Sequence, residues 1–229
     1  MNAPANPLAA VRAAIIDLDG TMVHTAPDFQ VAINRMRADL GLGPLTVETV
    51  IDFVGKGSEN LMRRVLAVNF DADEVERRFE QALAGYQRHY LAINGDYSRV
   101  YDGVHEGLAA MQAQGLRLAC VTNKPIAFAR PLLEKTGLAT YFERIYGGDS
   151  LPRKKPDPLP MLTVCRDFAL EPCEVVAIGD SSNDADAARA AGCKSLTVPY
   201  GYNHGQPVHS IDSDGIVATL FEAARLLAA

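Results

Sequence analysis

The feature that most constrains the fold is a series of short, almost continuously apolar runs. Each is closed by a polar or Gly/Pro-bearing loop and then followed by a helical pattern. The runs are AAIID within residues 11–20, LRLACVT (116–122), RIYGG (144–148), VVAIGD (175–180) and SLTVPYG (195–201). A strand apolar on both sides is covered on both faces, which is the habit of parallel sheets, and strands alternating with helices read as βαβ units. The expected fold is therefore α/β, a Rossmann-like core with a parallel sheet and helices on both faces.

Residues 27–95 break this pattern. Phe29, Ala32, Ile33, Met36 and Leu40 recur at helical spacing after Asp28. Val75, Phe79, Leu83, Tyr86 and Tyr90 do the same after a candidate cap at Asp71 or Asp73. Between them GKGSENLMRRVLAVNF reads as a glycine loop opening a helix near Ser58, and no strand is evident. An all-helical stretch after the first strand predicts an inserted helical cap, residues 23–99. It would sit on a core made of residues 10–22 and 100–229, through hinge strands near residues 20–27 and 95–102. An insert at the carboxyl end of a strand lies over the crevice where open α/β sheets bind ligands.

Composition excludes other classes. A chain of 229 residues buries about 70% of its unfolded surface and needs no disulfide or metal staple. Its formal charge is −6, from 22 Lys and Arg against 28 Asp and Glu. With no run of about five basic residues, this argues against a nucleic-acid or anionic-membrane partner. No stretch reaches the roughly 18 uninterrupted apolar residues of a transmembrane helix. The first twenty residues lack a basic n-region, Arg12 splits their apolar run, and Pro4 and Pro7 mark a loose tail before residue 10, so no secretory signal is expected. Cys120, Cys165, Cys173 and Cys193 form no C-x-x-C pair and no zinc spacing, which reads as a reduced, cytoplasmic protein.

Four short constellations stand at the ends of expected strands. Asp17-Leu18-Asp19-Gly20-Thr21 puts two carboxylates at the end of a buried strand. That is costly unless a cation or protons neutralise them; the alternative is a solvated D-G turn. Thr122-Asn123 offers a hydroxyl and backbone N–H groups at a strand-to-helix turn, able to hold phosphate oxygens or to serve as a plain cap. Lys154-Lys155-Pro156 presents a fixed positive charge or a soluble loop. Asp180, with Asp184 one helical turn on, suits a hard cation such as Mg²⁺, or a capped helix, and both can hold at once.

Taken in order, D-x-D-G-T, T-N, K-P and G-D-x-x-x-D resemble the haloacid dehalogenase superfamily in its phosphatase branch, over residues 11–227. Within it, TNKP (122–125), RPLLEKTGL (130–138), YFERIYGGDSLPRKKPDPLP (141–160), GDSSNDADAARAAGC (179–193) and YGYNHGQP (200–207) are similar to the phosphoglycolate phosphatases. The resemblance implies a Mg²⁺-dependent phosphomonoesterase that converts 2-phosphoglycolate to glycolate and phosphate. Asp17 would be the nucleophile, forming an aspartyl phosphate, and Asp19 the acid and then the base. Thr122, Lys155 and the Asn123 backbone N–H would hold phosphoryl oxygens. Asp17, the Asp19 carbonyl oxygen and Asp180 would hold the metal, with Asp184 positioning nearby groups.

These roles suit the chemistry, because a loose phosphoryl transition state needs charge neutralisation and alignment more than covalent help. Asp19 would need to start protonated while Asp17 stays ionised. Lys154 is the alternative to Lys155, which the adjacency to proline favours. The family often carries Asp where this chain has His24; an ordinary hinge residue and a group titrating near pH 6.5 are both open there.

The expected substrate carries a carboxylate, and Gly55-Lys56-Gly57, entering the helix near Ser58, is the candidate cap anion site. Other readings are a phosphatase of another small sugar or sugar-acid phosphate, a β-phosphoglucomutase-like mutase, and a non-catalytic phosphate-binding module. The partner implied is a small-molecule phosphate ester, and the family is typically monomeric or homodimeric.

Overall fold

The computed structural model describes residue 8 and residues 10–228. The tail marked by Pro4 and Pro7, and Ala229 at the far end of the core, lie outside the described residues. In chain order the elements are β1 (Ala13–Ile16), β2 (Val23–His24), α1 (Ala26–Asp39), α2 (Val47–Phe53), α3 (Ser58–Ala67) and α4 (Ala72–Ile93). They continue with β3 (Arg99–Val100), α5 (Val104–Ala113), β4 (Arg117–Val121), α6 (Ile126–Lys135), β5 (Arg144–Tyr146) and α7 (Leu159–Phe168). The chain closes with β6 (Val175–Gly179), α8 (Ser182–Ala191), β7 (Lys194–Thr197), β8 (Gly215–Ile216) and α9 (Leu220–Leu227).

The main sheet has the order β5-β4-β1-β6-β7-β8, and its neighbouring strands run parallel. Its strands are apolar throughout because alternate residues serve two separate cores. Ala14 and Ile16, Leu118 and Cys120, Val176 and Ile178 face the core closed by α5, α6 and α9. Ala13 and Ile15, Ala119 and Val121, Val175 and Ala177 face the core closed by α7 and α8. A one-residue slip would exchange the two sets, so the register is firmly held.

The helices α1 to α4 form a third core built on Phe29, Ile33, Met36, Leu61, Met62, Val65, Tyr86 and Tyr90, joined by Phe128 and Tyr202 from the sheet domain. Arg37 is buried among them. Its guanidinium donates to the Gly43 and Val65 carbonyls and to Asn69 Oδ1, one bond from each nitrogen, so the charge is not stranded. Asp71 is the residue that caps α4, accepting from the Glu74 N–H at 2.9 Å. Two elements have no counterpart in the periodicity reading. Helix α2 is only 7 residues long and β8 only 2, too short to show a repeat; Thr46 caps the former through the Thr49 N–H.

The cap joins the core through the antiparallel ribbon β2–β3, in which Val23 faces Val100 and His24 faces Arg99. Asp28, fully buried at the start of α1, clamps the returning chain. Its carboxylate accepts from the Gly95 and Tyr97 N–H groups and from Ser98 Oγ. Three neutral donors thus satisfy its two oxygens.

Candidate active site

The sheet order places β1 between β4 and β6. Ile16 is in register with Cys120 on one side and Ile178 on the other. The chain therefore leaves three adjacent strands at one edge, carrying Asp17, Thr122 and Asp180 side by side. The sheet grows outward in both directions from β1, which makes this edge the topological switch point.

Lys155 reaches the edge from the loop between β5 and α7. Its ammonium donates to Asp17 Oδ1 at 2.7 Å, Asp184 Oδ1 at 2.6 Å and the Val121 carbonyl at 2.7 Å. All three donors of the ammonium are engaged. Burial works against this charge, yet Asp17 and Asp184 outweigh it and hold the pKa above its ordinary value. Lys154 points elsewhere: a Cβ added at Gly57 would fall 2.7 Å from its Nζ, so it lies against the cap loop. Of the two lysines the structure brings Lys155 to the carboxylates.

Asp184 belongs to the first turn of α8. Its Oδ2 accepts from Ser181 Oγ at 2.9 Å and from the Ser181 N–H, closing the end of the helix, while its Oδ1 faces Lys155. Capping and clustering coexist in one carboxylate. Asp180 accepts from Thr21 Oγ1 at 3.0 Å and from the Tyr202 N–H at 2.6 Å. Gly20 turns the chain there with φ +87°, and a Cβ would sit 2.4 Å from Asp180 Oδ2, so both conformation and space require glycine.

One ligand oxygen each from Asp17, Asp180 and Asp184 lies within 4.8 Å of the others. Burial, then the neighbouring Asp184 and Asp180, pushes the Asp17 carboxyl well above its usual range against the pull of Lys155. Burial and then Asp184 push Asp180 up to about 7. One lysine among three crowded carboxylates does not offset the burial and mutual repulsion that raise these two pKa values. Hard oxygen donors at this spacing fit a small divalent cation.

Asp19 contributes no carboxylate oxygen to that cluster. Its Oδ1 lies 3.0 Å from Lys124 Nζ, in a pair whose side chains are 12% and 3% exposed respectively. Lys124 follows Thr122 in an ST-turn, its N–H donating to Thr122 Oγ1, and it went without a role in the sequence reading. The available signal was a lysine directly after T-N, at a turn where the strand end faces the crevice. Asn123 lines the cleft and its side-chain amide ties two loops together, donating to the carbonyls of Gly55 at 3.0 Å and Lys155 at 2.9 Å. Asn183 donates to the same Gly55 carbonyl at 3.2 Å. Two core amides thus hold the cap loop down.

The roof of the cleft comes from Phe29, Val54, Leu61, Tyr86 and Tyr90 of the cap and Phe128 of the core. Gly55 and Gly57 line it, whereas Lys56 is exposed and absent from the lining. His24 stands in the hinge, its Nδ1 at 3.0 Å from the Tyr202 hydroxyl and 3.2 Å from the Tyr101 hydroxyl. Burial, then Arg99, lowers its pKa, which keeps it neutral near pH 7. The Tyr202 hydroxyl also accepts from the Thr25 and Ala26 N–H groups at the start of α1. The YGYNHGQP stretch therefore connects the Asp180 carboxylate to the hinge, a link that only the folded chain displays.

Among the described residues no helix is long and apolar enough to cross a membrane. The family model described as haloacid dehalogenase-like hydrolase matches residues 14–198. The chain is 49% identical to a phosphoglycolate phosphatase of Thiobacillus denitrificans, over 95% of this chain and 96% of that one. It is 46% identical to a phosphoglycolate phosphatase of Nitrosospira multiformis, again over 95% and 96%. Among solved structures, a predicted phosphoglycolate phosphatase from Haemophilus somnus superposes with a TM-score of 0.89 at 32% identity, covering 95% of this chain and 98% of that one. With the strand-end carboxylates, the lysine between them and the helical cap all in place, this chain belongs to the haloacid dehalogenase-like hydrolase family, in its phosphatase branch.

Proposed function

We propose that the protein is a Mg²⁺-dependent phosphomonoesterase that hydrolyses 2-phosphoglycolate to glycolate and phosphate through an aspartyl phosphate on Asp17. The observation that carries this reading is the placement of Asp17. Its carboxylate is oriented by Lys155 at 2.7 Å, beside two further carboxylates and under an apolar roof. The relatives named above supply the substrate.

In this mechanism one Asp17 oxygen attacks phosphorus in line and the bond to the leaving oxygen breaks. Asp19 delivers its proton to that oxygen, so glycolate departs neutral at its hydroxyl. Asp19 then takes a proton from the water that attacks the aspartyl phosphate, which frees phosphate and restores Asp17. Splitting the transfer lets one carboxyl serve as acid and then as base. The Thr122 hydroxyl and the Asn123 backbone hold the phosphoryl oxygens, and the Lys155 charge, held on Asp17, stands beside them.

Mg²⁺ would be held by Asp17, Asp180 and the Asp19 carbonyl oxygen, with Asp184 alongside. When bound, it supplies the positive charge that offsets repulsion between a dianionic phosphate and an attacking carboxylate. The roof excludes bulk water from the intermediate. A cytoplasmic enzyme, monomeric or homodimeric, completes the proposal.

The test is steady-state phosphate release with Mg²⁺ across 2-phosphoglycolate, hexose phosphates and amino-sugar phosphates, with Asp17→Asn as control. The expected result is a clear kcat/KM lead for 2-phosphoglycolate and a loss of about 10³-fold or more in the variant. A lead for a sugar phosphate would move the substrate assignment to that class. Phosphate returned to sugar rather than to water would make the protein a mutase.

A further inference from the structure

The cleft is lined by many acidic and apolar groups but, among the described residues, its lining cations are Lys124 and Lys155 alone. Lys155 is fully committed to Asp17, Asp184 and the Val121 carbonyl. Lys124 is not. Among the described residues the one hydrogen-bond acceptor of its ammonium is Asp19 Oδ1, which leaves two of three N–H donors for a ligand. The side chain is 3% exposed, and its Nζ sits 4.4 Å from the Phe29 ring centroid and 4.6 Å from that of Tyr90. A desolvated ammonium held on aromatic faces is fixed in position rather than free to sample solvent.

Its side of the cleft matters. Asp19 is the group that faces the leaving oxygen in the reading above, and Lys124 stands next to Asp19, whereas Lys155 stands next to the nucleophile. The substituent on the leaving oxygen must therefore lie on the Lys124 side.

We infer that Lys124 is the specificity-determining cation of this enzyme, binding an anionic carboxylate carried on the alcohol portion of the substrate. The assignment rests on the phosphoglycolate reading and gives its chemical basis. Phe29 lies in α1 and Tyr90 in α4, so the core-borne ammonium is braced by the cap. Asp19 holds the ammonium from the core side and the two rings hold it from the cap side, so its position depends on both. A substrate lacking the carboxylate would leave the two donors unpaired in a dry site, which is the condition under which polar sites discriminate strongly.

The experiment compares kcat/KM for 2-phosphoglycolate with that for 2-hydroxyethyl phosphate, which replaces the carboxylate by a neutral alcohol. It is run on the wild type, Lys124→Met, Lys124→Gln and Lys124→Arg, each checked by thermal melting. The ratio of the two constants is expected to fall roughly 100-fold in Lys124→Met and Lys124→Gln, chiefly through KM for the carboxylated ester. Lys124→Arg, which keeps the charge, should retain the ratio within about tenfold of wild type. Equal losses on both esters, with the ratio unmoved, would overturn the inference and leave Lys124 as a support for Asp19 or for the fold. A wild-type ratio near one would instead remove the phosphoglycolate reading itself. Using Gln and Arg beside Met keeps the comparison available should the Met variant fail to fold.

Discussion

The floor and the roof of the cleft are built on opposite principles. The floor is a network of charge, in which Lys155 binds Asp17 and Asp184 while Asp180 is bonded to Thr21 and Tyr202. The roof is almost entirely apolar and comes chiefly from packing of α1, α3 and α4, with Lys124 as its one cation beneath the aromatic rings. In the proposed function the floor sets the reaction type, since buried like charges call for a compensating cation. In the same proposal the roof sets what fits, with Lys124 beneath it on the side of the leaving oxygen. The polar floor and the apolar roof thus come from different parts of the chain, with the core-borne Lys124 between them, and changes to each should leave different signatures.

The largest effect should come from breaking the floor. Lys155→Met leaves Asp17 and Asp184 buried without their shared partner, and removing one member of a buried pair costs about 3–5 kcal/mol. Denaturant unfolding of the metal-free protein at pH 8 should show that loss. A change below about 1 kcal/mol would mean that the carboxylates relieve the charge by taking up protons, and would break the contrast with the roof.

A second effect sharpens it. Asp180 has its folded pKa raised to about 7, against about 3.9 when unfolded. A raised carboxyl pKa means that the folded state holds the proton more tightly. Its stabilising contribution is complete below about pH 4 and is lost as pH rises through 7. Asp17 is shifted in the same direction. The metal-free protein should therefore lose stability from pH 4 to pH 7. At a fixed concentration about one hundred times its Kd at pH 8, Mg²⁺ should stabilise the protein by about 2.7 kcal/mol at pH 8 and by less at pH 5, where protons compete for the same carboxylates. Melting curves with chelator and with Mg²⁺ across this range decide it, and a Mg²⁺ shift independent of pH would show that these carboxylates do not hold the ion.

The smallest effect is expected at the rim of the roof. Lys56 is exposed and outside the lining, although its neighbours Gly55 and Gly57 belong to it. Lys56→Ala should change KM for 2-phosphoglycolate by no more than about twofold, the scale of surface substitutions. A tenfold rise would place Lys56 in substrate contact and add a charge to the roof.

The sheet was largely legible because its signal is local and repeated. Five apolar runs correspond to β1, β4, β5, β6 and β7, while β8 and α2 escaped because two residues and seven residues are too short to show a period. Asp17 and Asp180 were legible for the same reason, as each closes an apolar run, and Asp184 by its spacing one helical turn after Asp180. Lys124 was not. A buried lysine and an exposed one look alike in sequence, and only packing against Phe29 and Tyr90, residues distant along the chain, removes it from water. The choice between Lys154 and Lys155 likewise needed the fold to show which side chain faces Asp17.

The sequence by itself determined the order of the strands' chemical ends and the position of the insert, because hydrophobic periodicity and connectivity are properties of neighbouring residues. Tertiary structure alone decided which charges pair, which lysines are dry and what the Tyr202 loop holds. The reason is that burial, Coulomb attraction and hydrogen-bond geometry depend on distances in space, and residues such as Thr21 and Asp180, 159 apart in the chain, meet at 3.0 Å only once it has folded.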